Sequence, residues 1–65
     1  MKTFTSSINM STAAFQGEQA QIELARILIE LAGKILRGEM RVCTSRKLYD
    51  MNGIQVGAAS IETEQ

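Results

Sequence analysis

Between Glu18 and Leu36 the chain has the composition of a helix and more apolar surface than one partner face can cover. Acids come early (Glu18, Glu23) and bases late (Lys34, Arg37), the order that suits the helix dipole, and Gly38 stands where a left-handed residue closes a helix. At ~100° per residue, Leu24, Leu28, Leu31 and Ile35 form one seam, with Ile27 on its flank. Ile22, Ala25, Ile29, Ala32 and Leu36 form a second. Together the seams span on the order of 220° and leave Glu23, Arg26, Glu30, Gly33, Lys34 and Arg37 on a narrow polar arc. The first seam is expected on the protein's own sheet. The second has two readings: Phe15, the 40–42 segment and the sheet edges wrap it within one chain, or a second copy covers it. The homodimer is preferred, since a two-fold interface need only complement itself. Small Ala25, Ala32 and Gly33 would let two helices approach closely, with Ile29 near the centre of the contact.

The rest of the chain supplies a sheet. Residues 1–10 alternate, with Lys2, Phe4, Ser6, Ile8 and Met10 on one side and Thr3, Thr5, Ser7 and Asn9 on the other, the period of a strand with one wet face. Phe15 is expected to fold onto the core beside the helix entrance. From Leu48 to Val56 the chain reads as a hairpin around Asn52-Gly53. A two-residue turn would gather Tyr49, Met51, Ile54 and Val56 on one face. A type I turn with a bulge at Gly53 would gather Leu48, Ile54, Val56 and Ala58, and is preferred because Asp50 then accepts backbone hydrogen bonds inside the turn. The expected fold is α+β, in the order β-α-β-β, with one amphipathic helix on a three-stranded antiparallel sheet. One domain covers residues 1–65: strand 1–10, helix 18–37, hairpin 46–61 and a frayed tail 62–65.

A chain of 65 residues has a thin core, burying only roughly 60% of the surface its unfolded form exposes. Domains this small usually add disulfides, a metal or self-association. One cysteine, Cys43, and no histidine leave self-association. The lone cysteine fits a reducing cytoplasm. The most apolar stretch, 22–36, is broken by Glu23, Arg26, Glu30 and Lys34 and is shorter than the ~20 residues of a membrane span.

The residues offer little for catalysis. Without histidine the commonest general base and metal ligand is missing. Cys43 has no evident base, Tyr49 and Asp50 point to opposite faces of a strand, and Glu23 and Glu30 read as a solvated, salt-bridged face. No phosphate-binding glycine pattern is present. The expectation is a protein that is not an enzyme and needs no cofactor or metal. Seven basic and seven acidic residues cancel, and there is neither a second helix for a ribbon-helix-helix fold nor an aromatic platform, which argues against nucleic acid. Arg37, Arg41, Arg46 and Lys47, with Tyr49 nearby, form the one polar cluster suited to an anion or an acidic protein surface. Its alternative is a solvated charge run.

Glu23-Leu24-Ala25-Arg26-Ile27-Leu28, then Leu31-Ala32, Ile35 and Gly38, and finally Asp50-Met51-Asn52-Gly53 with Val56-Gly57, carry a resemblance over most of the chain. In this order they resemble a group of very short bacteriophage proteins with a polar N-terminal strand, a phenylalanine before an "ARIL…LA" helix, and a "DxNGxxVG" hairpin. The chain departs from that group in having apolar Ile29, Leu36 and Ile54 where such proteins tend to be polar. The resemblance implies an accessory role in the host cytoplasm: stoichiometric binding that inhibits or sequesters a host component, such as an antiviral defence protein. A second reading is a dimeric sponge for a nucleotide signal, with Arg41, Arg46 and Lys47 on phosphates and Tyr49 stacked on a base. A third is a structural or assembly part.

Overall fold

Helix α1 spans Gln19–Leu36, and its end follows from Gly38. Gly38 takes φ +76, which places its N–H 3.1 Å from the Ile35 carbonyl and the Glu39 N–H 2.9 Å from the Lys34 carbonyl. This paired closure satisfies carbonyls that the last turn would otherwise leave open. The structure is a computed structural model that describes residues 1–63. Before α1 come strand β1, Lys2–Ile8, and a short 3-10 turn, Ala13–Phe15; after it come β2, Thr44–Tyr49, and β3, Gln55–Thr63.

The three strands form one antiparallel sheet in the order β1-β3-β2, giving an α+β fold with the element order β-α-β-β. The even side of β1 faces the helix, as alternation requires: Phe4, Ser6 and Ile8 lie in rows with Ile61, Ala59 and Gly57 of β3. The odd side is polar, and the Thr5 and Ser60 hydroxyls meet across it at 3.1 Å. β3 runs further than expected, because Glu62 and Thr63 pair with Thr3 and Lys2 instead of fraying. Residues 64 and 65 of the expected tail lie outside the described residues.

The hairpin closes through the Gly53 N–H on the Asp50 carbonyl, 3.0 Å, and the Asp50 N–H on the Ile54 carbonyl, 2.9 Å. Asp50 Oδ1 also accepts the N–H groups of Asn52 and Ile54. This is the turn chemistry that favoured a bulge at Gly53, yet the faces differ from both expected registers. Leu48 pairs with Gly57 while Tyr49 pairs with Gln55, so Val56 is an extra residue on β3. That second bulge turns Val56 inward beside Leu48 and Ala59, leaves Ile54 exposed, and sends Ala58 to the outer face with Ser7 and Lys47.

The core comprises Ala14, Phe15, Ile27, Leu31, Met40, Leu48, Val56 and Ala59, with Ile8, Ala20, Leu24 and Ile61 packed against it. It lies between α1 and the inner face of the sheet, with Phe15 closing the end beside the helix entrance.

Candidate functional site

The sheet takes a different stripe of α1 from the one periodicity favoured. Glu23, Ile27 and Leu31 are its buried residues, and Leu24 is half-buried. Leu28 and Ile35, expected in the inner seam, are exposed. The buried stripe is therefore centred on Ile27, about 100° around the helix from Leu28. The shift is possible because a carboxylate can occupy the inner stripe when its oxygens are satisfied, and Glu23 is satisfied.

Rotating the helix this way presents its second seam squarely to solvent. Ile22 is 63%, Ile29 73% and Leu36 88% exposed, and Ala25 and Ala32 are exposed between them. A shallow apolar depression lies over Ala25, walled by Ile22 and Ile29 and bordered by Arg26 and Glu30. The intrachain alternative fails on its own residues. Phe15 and Met40 are spent in the core, and Val42 is itself exposed. Ile22, Ile29 and Leu36 thus form one uncovered apolar face along the back of α1.

Beneath the hairpin tip lie two buried carboxylates that the sequence reading placed elsewhere or assigned only to the turn. Arg26 grips Glu23 with two parallel hydrogen bonds, Nε to Oε1 at 2.8 Å and Nη2 to Oε2 at 2.9 Å. Glu23 Oε2 also accepts the Met51 N–H at 2.7 Å. Asp50 Oδ2 accepts the Thr12 hydroxyl at 2.7 Å. Helix, hairpin and the segment before the 3-10 turn are thus joined by charge-assisted bonds. The Arg26 hydrogen bond holds the Glu23 carboxyl below its ordinary range against the cost of burial, helped by the Met51 N–H and opposed by nearby Asp50. Burial would raise Asp50, but the Thr12 hydroxyl and the N–H groups of Ile54 and Asn52 outweigh it, and Arg26 adds to them.

Both folded-state values lie below the unfolded ones. The stability they contribute is therefore complete above the ordinary carboxylate range and is lost as pH falls through the lowered values. Urea midpoints are expected to be level from neutrality down to about pH 5 and to drop below about pH 4. Glu23→Gln should flatten that acid limb. A midpoint that rises on acidification would contradict these ion contacts.

The predicted anion cluster is divided. Arg46, Lys47 and Tyr49 line a groove of ≈ 140 Å³ between β2 and the polar flank of α1, together with Arg26, Lys34, Glu30 and Asp50. Arg37 and Arg41 are not among its lining residues. Arg37 is instead bonded to Glu39 at 2.5 Å, and Arg41 sits in an exposed turn whose carbonyl accepts the Thr44 hydroxyl at 2.5 Å. Arg46 reaches the Glu39 carbonyl at 3.3 Å. Arg26 and Lys34, on the polar arc of α1, are brought into the groove by the rotation of the helix. Glu30 partly neutralises both, at 2.9 Å from Arg26 and 3.7 Å from Lys34. The groove can hold a group the size of a phosphate; pockets for whole small molecules start at roughly 300 Å³.

Cys43 is exposed in the same turn, with φ 67. Among the described residues no group of three or more Cys, Asp or Glu stands together as a metal site, and no helix is long and apolar enough to cross a membrane. No protein-family model matches the chain, nor does any curated protein or solved structure.

Proposed function

We propose that this protein is a non-enzymatic, homodimeric binding protein that inhibits or sequesters a host component by stoichiometric binding. The observation that carries the reading is the apolar back of α1. Ile22, Ile29 and Leu36 are exposed on a domain too small to leave such surface idle. The resemblance to very short phage proteins supplies the host as the source of the target, with an antiviral defence component as one candidate. Once the helix back is covered, the α1–β2 groove with Arg46 and Tyr49 at its rim is the surface left for that target. Tyrosine and cationic side chains around a shallow groove suit an acidic protein surface.

A nucleotide sponge is the second reading, favoured by the meeting of Arg46, Lys47 and Tyr49 at one groove. Its small volume, short of what a whole nucleotide fills, makes a protein surface the better fit.

The test is purification of the tagged chain from host lysate, followed by native mass spectrometry of what remains bound. One host protein in a fixed molar ratio is expected, with binding weakened at least about tenfold by Arg46→Glu combined with Tyr49→Ala. A nucleotide released in fixed ratio on denaturation would replace the leading reading with the sponge. Only a broad substoichiometric background would overturn both.

A further inference from the structure

The exposed residues on the back of α1 alternate large and small at spacings of three and four: Ile22, Ala25, Ile29, Ala32, Leu36. That is the seam of a coiled coil carried through two heptads. The depression over Ala25, between Ile22 and Ile29, is a hole on this seam, and Leu36 is its most exposed knob. A parallel second copy would set isoleucine on isoleucine and alanine on alanine, leaving gaps at the alanine layers. An antiparallel copy sets a large residue against a small one in every layer where the two seams overlap. Resting on the dimeric reading above, we infer that the back of α1 is covered by a second copy of this chain running antiparallel. Leu36 of each helix sits over the partner's Ala25, and Ile29 sits over the partner's Ala32.

The exposure of the seam's two ends selects this register over the other large-on-small one. In the alternative, Ile29 faces the partner's Ala25 and Ile22 its Ala32, but Leu36, the most exposed residue of the seam, falls opposite the partner's Glu18. In the assigned register Leu36 is covered and the less exposed Ile22 lies past the end of the partner's helix, while Leu28 lies beside Ile35. Those last two are apolar residues that the sheet leaves exposed. Ala25, Leu28, Ile29, Ala32, Ile35 and Leu36 together place on the order of 500 Å² of apolar surface on each copy, so two copies approach the roughly 1,000 Å² of a specific interface. The assembly has four layers, with the two helices inside and the two sheets outside.

Sedimentation equilibrium of the full chain tests this. Wild type should sediment at twice 7.2 kDa, and Ile29→Glu at 7.2 kDa with its helical circular dichroism retained. A rise of about 100-fold or more in the dissociation constant is expected for a residue at the centre of the contact. Leu28→Lys and Ile35→Glu should each weaken the dimer about tenfold. Combined in one chain they should recover most of the loss, because the new ammonium of one copy meets the new carboxylate of the other. The two positions are seven residues, or about 10 Å, apart along one helix and do not pair within a chain. A dimer that Ile29→Glu breaks, but that the double variant binds no better than either single, overturns the antiparallel register and leaves the dimer standing. A wild type of 7.2 kDa overturns the dimer itself. Rescue by the charge pair supports the register even where no host component binds, which separates this inference from the proposed target.

Discussion

Replacing Gly57 with alanine is expected to detach β1 and leave the protein largely unfolded at physiological temperature. A Cβ on Gly57 would lie 1.9 Å from the Ser7 carbonyl oxygen, 2.9 Å from its carbon and 3.0 Å from Ile8 Cα. All three are backbone atoms of the neighbouring strand. A side chain could rotate away, but here the strands themselves must separate, at the row where Ile8, Gly57 and Leu48 cross the sheet. Inserting a methyl group into a packed interior costs about 1–3 kcal/mol even where neighbours can yield, and these cannot yield without loss of pairing. A domain of this size holds in total roughly 3–10 kcal/mol. Urea titration followed by circular dichroism should show the transition moved to little or no denaturant. An alanine variant melting within a degree or two of wild type would mean that β1 does not approach β3 this closely.

The second large effect separates the two seams of α1. Ile27→Ala should destabilise the fold by about 2–5 kcal/mol, because Ile27 is buried among Leu31, Leu48 and Val56. Ile35→Ala should cost less, about 1 kcal/mol, because Ile35 is 38% exposed where Ile27 is 4% exposed. Both are best measured in the Ile29→Glu background, where self-association contributes nothing. Comparable losses at the two positions would return the inner seam to Leu24, Leu28, Leu31 and Ile35.

The fold class was legible because its signals are local. Alternation marked β1, composition and Gly38 bounded α1, and Asn52-Gly53 with Asp50 marked the hairpin turn. The rotation of α1 was less legible, and the reason is physical. Periodicity counts apolar residues, and Glu23 argues against the stripe that contains it until Arg26, one turn further on, and the Met51 N–H, across the domain, are known to satisfy it. One signal was present in the sequence: Glu23, Ile27 and Leu31 share a spacing of four. The bulge at Val56 was hidden for a related cause, since an extra residue in a strand keeps its composition and changes only its facing. The basic cluster divided because sequence proximity was its only warrant. Arg37 and Arg41 belong to a helix end and a turn, while Arg26 and Lys34, distant from the hairpin in sequence, reach the groove across the domain.

The pairing of Lys2 with Thr63 makes the sheet's first strand depend on its last. Helix and hairpin are built from near neighbours and can form early, whereas β1 must wait for a partner some sixty positions away, the kind of distant contact that slows folding. During synthesis the growing chain therefore carries β1 unpaired until β3 exists. Its composition suits that interval. Thr3, Thr5, Ser6 and Ser7 make β1 the most hydroxyl-rich strand of the three, a segment that water can hold in solution until the final strand arrives.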